Sequence, residues 1–506
     1  MDRTRNAKRG LAAGFVYQFI TLFLPFISRT IIINHLGIAY IGVGGLFSSI
    51  LRVLSITELG FGSAVSYLLY KPIAEHDEKK IRAILNFTKR VFRVIGSVII
   101  VVGLLLLPLI NKLTSTDRPE GLNIYILYVI YLINTAISYF LFSYKRILLS
   151  ASQRYDIETI INTISVLLQN ILQIFVLVYT NNYYLYAFVT IVSTIINNLL
   201  CGYITREKYP SCYCYGKISE EDIAIVKHTA KGAFLSQIGS TVYLSADNIV
   251  ISAVLGLVIL GQYNNYYIVI SALVTLFSII HNTLRPILGN CIIKESMEYN
   301  LETLIDITLL YQWLVFFCCA CLLSLFQDFI TVWIGNEYLL PFYIVLLIVV
   351  YFYTGRMPTL ISIFLEAAGL WWEKRYVYII ATVTNLTLNI ILSNVIGLSG
   401  VLISSIVSSI GISLGGNAYV LYKYYFKDNK TMERYIKSFI INSLIGTITI
   451  MLSYFALSSF RVNNILLLFA KGGLTALVFW GTFLITTRIS KNSMRALQYS
   501  RNLLSR

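Results

Sequence analysis

The fold class is decided by the stretch VIGSVIIVVGLLLLPLI (residues 94–110), which contains no charged residue. With its flanks it supplies the ~20 apolar residues that a membrane-spanning helix needs. A second run of this kind is FYIVLLIVVYFY (342–353). Of the 506 residues, 57% are hydrophobic and only 13% are charged, about half the charged fraction of a soluble protein. So few charges cannot coat a water-facing surface of this size, and the sequence predicts an all-α polytopic membrane protein.

Hydropathy predicts about fourteen transmembrane helices. They are placed at 11–33, 38–69, 91–111, 123–144, 157–180, 184–205, 232–256, 262–286, 306–334, 340–366, 377–396, 400–422, 437–459 and 463–487. The second contains Gly60 and Gly62, which favours a break within it. Two stretches between spans, 71–90 and 219–232, mix charges with helically spaced apolar residues and predict short helices lying on the membrane surface.

The distribution of basic residues predicts the orientation. With the N-terminus inside, the inner loops and tails hold 32 of the 40 lysines and arginines, and the outer loops hold three: Lys112, Arg118 and Arg461. This bias predicts that both termini are cytoplasmic. It also accounts for the net charge of +16 without a nucleic-acid partner.

An internal repeat appears when the sequence is shifted by 219 residues. RTIIINHLGIAYIG (29–42) then lies over NIVISAVLGLVILG (248–261), and Gly37 and Gly42 match Gly256 and Gly261. An even number of helices separates the copies, so both cross in the same direction, as in transporters whose two halves rock around a central site. We therefore expect two six-helix lobes around a central cavity and two accessory helices. The predicted divisions are an N-terminal lobe 1–211, a cytoplasmic linker 212–231, a C-terminal lobe 232–426, and accessory helices with a cytoplasmic tail 427–506.

Charged residues within spans are the candidate functional residues. Asp247 lies in the apolar run LSADNIVISAVLG (244–256), and an aspartate near a helix centre costs roughly 2.5–3.5 kcal/mol on insertion scales. It must therefore face a polar cavity, either balancing the charge of Arg29 or Arg52 or taking up a coupling ion. Arg52 and Arg356 lie too deep to snorkel easily, which favours a cavity-lining role.

The remaining candidates have simpler alternatives. Arg29 is close enough to its helix end to snorkel, and Lys471 is similar. Arg285 and Glu366, at inner helix ends, suit the membrane interface, whereas Glu58 lies below Arg52 as a second acid for coupling or charge balance. Tyr263 begins YNNYY (263–267), which could offer rings and amides to a sugar or belong to an interfacial aromatic belt.

Several enzyme classes lack their sequence signals. The chain has no GxxxxGK[ST] phosphate loop and no HExxH motif, so neither ATP hydrolysis by a phosphate loop nor a zinc site is expected. The predicted outer loops are very short, which argues against an outer catalytic domain. We expect a protein that is not an enzyme and that carries no cofactor, other than a coupling ion such as H⁺ or Na⁺.

Three motifs resemble one known family. ADNIVISAVLGLVILGQY (246–263) is similar to the helix-7 signature of the polysaccharide-export branch of the multidrug/oligosaccharidyl-lipid/polysaccharide (MOP) flippase superfamily. VWIGNEY (332–338) resembles the outer-loop motif of that branch, and ASQRYD (151–156) resembles its helix 4–5 loop. Related flippases of lipid-linked peptidoglycan precursors carry functional arginines in helices 1 and 2, for which Arg29 and Arg52 are the candidates.

The resemblance implies a flippase of the bacterial inner membrane. Its substrate would be an undecaprenyl-diphosphate-linked oligosaccharide moving outward by alternating access, for O-antigen, capsule or exopolysaccharide synthesis. Arg29, Arg52 and Arg356 would attract the diphosphate, and membrane lipids and other polysaccharide-assembly proteins would be its partners. The alternatives are a cation-coupled multidrug exporter, whose members usually have twelve spans, and a membrane glycosyltransferase or polymerase.

Overall fold

A computed structural model describes residues 3–58, 60–114 and 116–487. Within these ranges the chain is helical and contains no β-strand, as the sequence predicts. The predicted cytoplasmic tail beyond residue 487 lies outside the described residues. By its internal contacts the chain divides into two compact units, Met1–Gly261 and Gln262–Arg506.

The first unit contains ten helices and the start of an eleventh among the described residues. They are α1 (Arg3–His35), α2 (Ala39–Leu54), α3 (Phe61–Ala74), α4 (Glu78–Leu105), α5 (Leu107–Leu113), α6 (Ile124–Phe140), α7 (Ser143–Ala151), α8 (Tyr155–Thr180), α9 (Tyr183–Lys208), α10 (Glu220–Leu255) and α11 (Leu257–Lys294). Because the unit boundary falls inside α11, the predicted seventh span packs with the first unit, where α10 contacts α2 and α3. The predicted lobe boundaries at 211 and 232 rest on the internal repeat and stay a prediction.

The second unit contains the rest of α11 and eight further α-helices. They are α12 (Met297–Ile334), α13 (Phe342–Arg356), α14 (Pro358–Ala367), α15 (Arg375–Ile396), α16 (Leu398–Val407), α17 (Gly415–Val420), α18 (Asn429–Leu457) and α19 (Ile465–Thr487). Two π-helical stretches, Ser408–Leu414 and Leu421–Phe426, continue the helix that α16 and α17 form.

The long apolar helices agree with the predicted spans. Eleven helices of the described chain are long and apolar enough to cross a membrane, and thirteen qualify when two bent pairs are each counted as one span. The bends, of 54° between α4 and α5 and 55° between α6 and α7, occur within the predicted third span and at the inner end of the fourth. With the broken second span these make the predicted fourteen, and the chain is a multi-pass membrane protein.

The second predicted span is broken near its centre. Its first part, α2, ends at Leu54 and is followed by a 3₁₀ turn, Ser55–Glu58. Gly60 then adopts a φ of 86° before α3 begins, a left-handed conformation that glycine reaches without steric cost. The break predicted from the glycines is confirmed.

The two predicted surface helices are wrong. Asp77 caps α4, which runs without interruption from Glu78 into the membrane-spanning part. Ser219 caps α10 in the same way. Because no helix breaker separates the charged first turns from the apolar ones that follow, residues 78–90 and 220–232 are the beginnings of spanning helices and not separate elements. Residues 71–77 contain the end of α3 and a turn.

Each copy of the repeat contains a corner between two helices, at residues 37–42 and 256–261. The two corners contact each other within the first unit. Gly37 and Gly256, which the repeat pairs, both have positive φ angles, of 101° and 95°. A Cβ on Gly42 would lie 2.0 Å from the Leu257 carbonyl oxygen, and one on Gly261 would lie 2.4 Å from the Ile38 carbonyl oxygen. The shift of 219 that maps Gly42 onto Gly261 also maps Ile38 onto Leu257, so one contact is the image of the other, as a two-fold relation requires.

The predicted accessory helices α18 and α19 pack on α12 in the second unit. Polar side chains join them: Asn442 on α18 donates to the Gln312 side-chain carbonyl at 2.7 Å, and Gln312 donates to the Ser443 hydroxyl at 3.1 Å. Interhelical hydrogen bonds in membranes contribute about 0.6 kcal/mol each on average. This ladder therefore fixes the register of α18 more than it stabilises the fold.

Candidate functional site

Arg29, on α1, lies beside a group of tyrosines in the first unit. Its guanidinium interacts electrostatically with the hydroxyls of Tyr183 and Tyr186 on α9. The rings of Tyr183 and Tyr186 stack with their centroids 5.1 Å apart. The hydroxyl of Tyr131, on α6, lies 3.2 Å from that of Tyr183. Arg29 thus lies near neutral hydroxyl groups, and its snorkelling alternative stays a prediction.

Local sequence places the tyrosines on one face of α9. The Asn182 side chain caps the helix by accepting hydrogen bonds from the backbone N–H groups of Tyr184 and Leu185 at 2.9 and 3.2 Å. Residues three apart share a helix face, so a helix that starts at Tyr183 presents Tyr183 and Tyr186 together. On the other side, Ser28 donates to the Asn170 side-chain carbonyl at 2.8 Å and holds α1 against α8.

Arg52 and Glu58 flank the break in the second span but do not pair with each other. Arg52 is exposed, and no carboxylate among the described residues forms an ion pair with it. Glu58 instead accepts a hydrogen bond from the Tyr139 hydroxyl on α6. The acid below Arg52 is thus engaged by a neutral donor, and the guanidinium keeps its hydrogen-bonding groups available.

Asp247 is buried inside the first unit, with 5% of its surface exposed. It therefore does not face lipid, as expected from the free-energy cost of an aspartate exposed to the membrane interior. The next residue, Asn248, donates to the Ser49 hydroxyl on α2 at 2.9 Å. Ser252, one turn on, donates to the Leu113 carbonyl at 2.6 Å. Asp247 thus lies on a stretch of α10 that polar contacts hold against its neighbours.

Arg356, in the second unit, is the last residue of α13 and is half-buried. Pro358 follows and begins α14, so the arginine lies at a discontinuity of its span, as Arg52 does in the second span. It interacts electrostatically with Tyr311 on α12. Ser409, in a π-helical stretch, donates to the Thr354 carbonyl at 2.7 Å beside this point. Such π-helical turns are frequent at functional sites.

The sequence analysis named Glu366 and Arg285 singly but missed the cluster of charges that they form with Lys374 and His281 in the second unit. Glu366 lies 2.7 Å from the buried ammonium of Lys374, 3.6 Å from the His281 ring and 3.9 Å from the Arg285 guanidinium. The Arg285 guanidinium also covers the Trp371 ring, 4.9 Å from its centroid. Arg285 is thus held by a carboxylate and a ring. Lys374 gave no sequence signal, because it lies in a loop rich in basic residues.

Two weaker candidates have packing contacts in the second unit. Lys471, on α19, is buried and pairs with Asp328 on α12 at 2.7 Å. Asp328 therefore neutralises Lys471, which leaves this lysine less suited to attract an anionic substrate. Tyr263 has only 2% of its surface exposed and stacks on Tyr267 at 5.7 Å. The aromatic-belt interpretation is wrong for Tyr263, because a belt residue would lie on the surface.

The ASQRYD motif forms a tight corner between α7 and α8. Gln153 has a positive φ of 58°, and Arg154 donates two hydrogen bonds to the Asp156 carboxylate at 2.9 and 3.0 Å. These bonds raise the pKa of the Arg154 guanidinium above its usual range. In VWIGNEY, Gly335 ends α12 with a φ of 107°. Both motifs therefore shape turns between spans.

A buried polar cluster in the second unit also escaped sequence analysis. Asn385 on α15 donates to the Ser405 hydroxyl on α16 at 2.9 Å, and Asn389 donates to the Asn385 side-chain carbonyl at 3.3 Å. The spacing of four between the two asparagines places them on one helix face. This spacing of two asparagines could have revealed the cluster from the sequence, but neither was taken as a candidate.

Comparison with known families identifies the chain. Residues 7–291 match the family model described as polysaccharide biosynthesis protein. The chain belongs to this family. No curated protein matches it by sequence.

Solved structures with the same fold are transporters of the MOP superfamily. The lipid II flippase MurJ, in an inward closed conformation, is 18% identical with a TM-score of 0.64, and the alignment covers 98% of this chain and 99% of that one. An inward-facing multidrug resistance MATE family transporter is 14% identical with a TM-score of 0.62, covering 82% and 96%. A MOP superfamily transporter from Pyrococcus furiosus is 14% identical with a TM-score of 0.51, covering 85% and 98%. At these identities the likeness shows the fold, whereas membership of the polysaccharide biosynthesis family rests on the match of residues 7–291.

Proposed function

We propose that this protein is a flippase for undecaprenyl-diphosphate-linked oligosaccharides in a bacterial inner membrane. It would move them from the cytoplasmic to the periplasmic leaflet by alternating access, with both termini in the cytoplasm. The observation that carries the proposal is the family match, since it links a membrane transporter fold to polysaccharide biosynthesis. Whether the product is O-antigen, capsule or exopolysaccharide depends on sugars to which no described residue can yet be assigned.

The charges of the first unit support an anionic substrate. Arg29 is surrounded by neutral hydroxyl groups of tyrosines, and Arg52 has no carboxylate partner among the described residues. Glu58 is engaged by Tyr139. A diphosphate would form charge-assisted hydrogen bonds with such guanidinium groups, which are roughly twice as strong as neutral ones. A binding site for cationic drugs would instead present carboxylates without partners.

Arg356 provides a similar guanidinium group in the second unit. It lies at the end of α13 beside Tyr311, and no described carboxylate pairs with it. We assign Arg29, Arg52 and Arg356 to attraction of the diphosphate. Asp247 and Glu58 then balance charge or bind a coupling ion, H⁺ or Na⁺, and Arg285, Lys471 and Tyr263 keep the packing contacts described above.

Deletion of the gene tests the proposed function. Lipid-linked oligosaccharides should accumulate in the membrane while the surface polysaccharide is lost, because the repeat units are made but do not reach the periplasm. The measurement is chromatographic separation of extracted lipid-linked sugars. A variant carrying Arg52→Ala and Arg356→Ala, expressed at the normal level, should fail to restore the polysaccharide. Unchanged polysaccharide with increased drug sensitivity in the deletion strain would favour the multidrug exporter instead.

A further inference from the structure

Four basic residues converge at the end of the first unit that the charge bias predicts to be cytoplasmic. They are Lys89 and Arg93 on α4, Lys145 on α7 and Arg206 on α9. Lys145 interacts electrostatically with Lys89 and Arg206, and Arg93 interacts with Tyr144, the neighbour of Lys145. We call these four residues the basic cluster.

Several cations at this end of the unit pair with acids, whereas the members of the basic cluster do not. Lys80 pairs with Asp222 at 3.0 Å, and other ion pairs there are Lys71–Glu75, Arg82–Glu78, Arg146–Glu158 and Arg154–Asp156. No carboxylate of the described chain forms an ion pair with any member of the basic cluster. Like charges held together without a counterion repel each other, so the arrangement favours an anion.

Lys145 is held in place by uncharged groups. Its ammonium donates to the Gly202 carbonyl at 3.1 Å and lies 5.0 Å from the centre of the Phe142 ring. Lys89 lies 5.9 Å from the centre of the Tyr144 ring. One carbonyl leaves the other ammonium hydrogens of a half-buried lysine available for a ligand.

The exposed face of α4 indicates what kind of anion fits. One end of this face carries Arg93, and it continues with the exposed side chains of Val94, Val98 and Val101. A lipid lying along the face would place its acyl chain on the valines and its phosphate at the cations. Basic pockets between spanning helices at the cytoplasmic side are known to bind anionic lipid headgroups.

We propose that the basic cluster binds the phosphate of an inner-leaflet lipid. The site is separate from Arg29, Arg52 and Arg356, and only the second of the two ligands named next rests on the proposed flippase activity. Two lipids offer this chemistry, an anionic phospholipid and a polyprenyl diphosphate. The first would be a bound structural lipid, whereas the second would be substrate held before it enters the transport path.

Native mass spectrometry of the purified full-length protein tests the site. The probes are phosphatidylglycerol, zwitterionic phosphatidylethanolamine and undecaprenyl diphosphate, each added at equal concentration. The triple variant Lys89→Gln, Lys145→Gln and Arg206→Gln should lower retention of the preferred anionic lipid at least about tenfold, as expected when three cations near a lipid surface are lost. A control variant with Lys71→Gln, Lys79→Gln and Lys227→Gln loses the same charge from exposed positions and should retain it.

The competition between probes distinguishes the two lipids. Retained phosphatidylglycerol that undecaprenyl diphosphate does not displace identifies a structural lipid, and the reverse preference identifies the substrate. Equal losses in the two triple variants would overturn the proposal, because binding would then follow total charge. Equal retention of phosphatidylethanolamine and phosphatidylglycerol by the unaltered protein would overturn it as well.

Discussion

Lys471 and Asp328 form an ion pair of 2.7 Å that joins α19 to α12. The lysine side chain is 7% exposed and the aspartate side chain is 27% exposed, so removal of the lysine would leave a largely desolvated carboxylate. Such an unpaired group costs more than the intact pair contributes. At the scale of one residue, substitution of Lys471 tests how much the ion pair stabilises the protein, whereas substitution of Arg29 tests the proposed transport.

Replacement of Lys471 by Met should destabilise the protein by about 2 kcal/mol, because Asp328 loses its charged partner. The apparent melting temperature of the detergent-solubilised protein measures the effect. The double variant Lys471→Met with Asp328→Leu should recover most of the loss. Lys437→Met removes an exposed lysine and serves as the control. Equal melting temperatures for Lys471→Met and the control would show that the pair contributes nothing.

Replacement of Arg29 by Ala should reduce transport at least tenfold at normal expression, since it removes a charge-assisted contact to the diphosphate. Arg29→Lys should restore only part of the activity, because lysine keeps the charge and loses the planar fork. Tyr186→Phe keeps the stacked ring and should have a small effect. Restoration of surface polysaccharide in the deletion strain is the measurement. Full activity of Arg29→Ala would exclude Arg29 from the anion path.

Charged residues could be found from the sequence, but their partners could not. Arg29, Arg52 and Asp247 stand out because each interrupts an apolar run. Tyr183 and Tyr186, beside Arg29, lie more than 150 residues further along the chain, and Asp328 lies 143 residues from Lys471. Such pairings depend on how helices pack, which hydropathy does not encode. Tyr263 was misplaced for the same reason. Its position near the end of a predicted span suggested the membrane surface, but packing between helices buries it.

At the scale of elements, glycine breaks the second predicted span and allows the two copies of the repeat to approach closely. The break after Glu58 could be predicted because Gly60 disrupts an otherwise continuous apolar span. The continuity of α4 through its charged first turns could not, since a charged helix start and a separate surface helix have the same amphipathic pattern. The reciprocal contacts of Gly42 and Gly261 have a sequence signal, the repeat, but their closeness required the structure.

Gly42→Ala and Gly261→Ala should each destabilise the protein by about 1–3 kcal/mol, the usual range for overpacking. Each new methyl group would meet a backbone carbonyl oxygen, at 2.0 and 2.4 Å respectively, and backbone cannot move aside as a flexible side chain can. Melting temperatures of the purified variants measure the effect. Gly289→Ala places its methyl group in open space within α11 and should be neutral or slightly stabilising. Similar losses at both corners are expected from the two-fold relation, and a loss at one corner alone would contradict it.

At the scale of the whole molecule, composition fixed the class of fold, and charge bias predicted its orientation. Low charge content and long apolar runs require a multi-pass helical protein whatever the details of packing, because lipid leaves no other way to satisfy backbone hydrogen bonds. The assignment of α10 by contacts to the first unit could not be foreseen from a repeat that groups it with the second. A repeat describes how the chain is built, whereas contacts depend on how its helices pack in one conformation.

The proposed outward transport, a property of the whole molecule, needs an energy source. Because a diphosphate is anionic, an inside-negative membrane potential favours its outward movement by roughly 2.3 kcal/mol per charge per 100 mV. In proteoliposomes carrying a labelled polyprenyl-diphosphate oligosaccharide, an imposed potential of this sign should accelerate outward movement, and its collapse should slow it. The opposite potential serves as the control. Transport at the same rate under both signs would exclude the potential as the driving force.

Asp247→Asn separates the potential from an ion gradient in the same assay. The substitution keeps the size of the buried side chain but removes its charge, so it should preserve packing around Asn248 and Ser49. If Asp247 balances the arginines, the variant should keep potential-driven transport, because only a counter-charge is lost. If it binds H⁺ or Na⁺, the variant should lose the stimulation by that ion's gradient while it still responds to the potential. We expect the first result, since the proposed diphosphate substrate itself carries the charge on which the potential acts. Loss of gradient-stimulated transport in correctly folded Asp247→Asn would instead assign this aspartate to ion coupling.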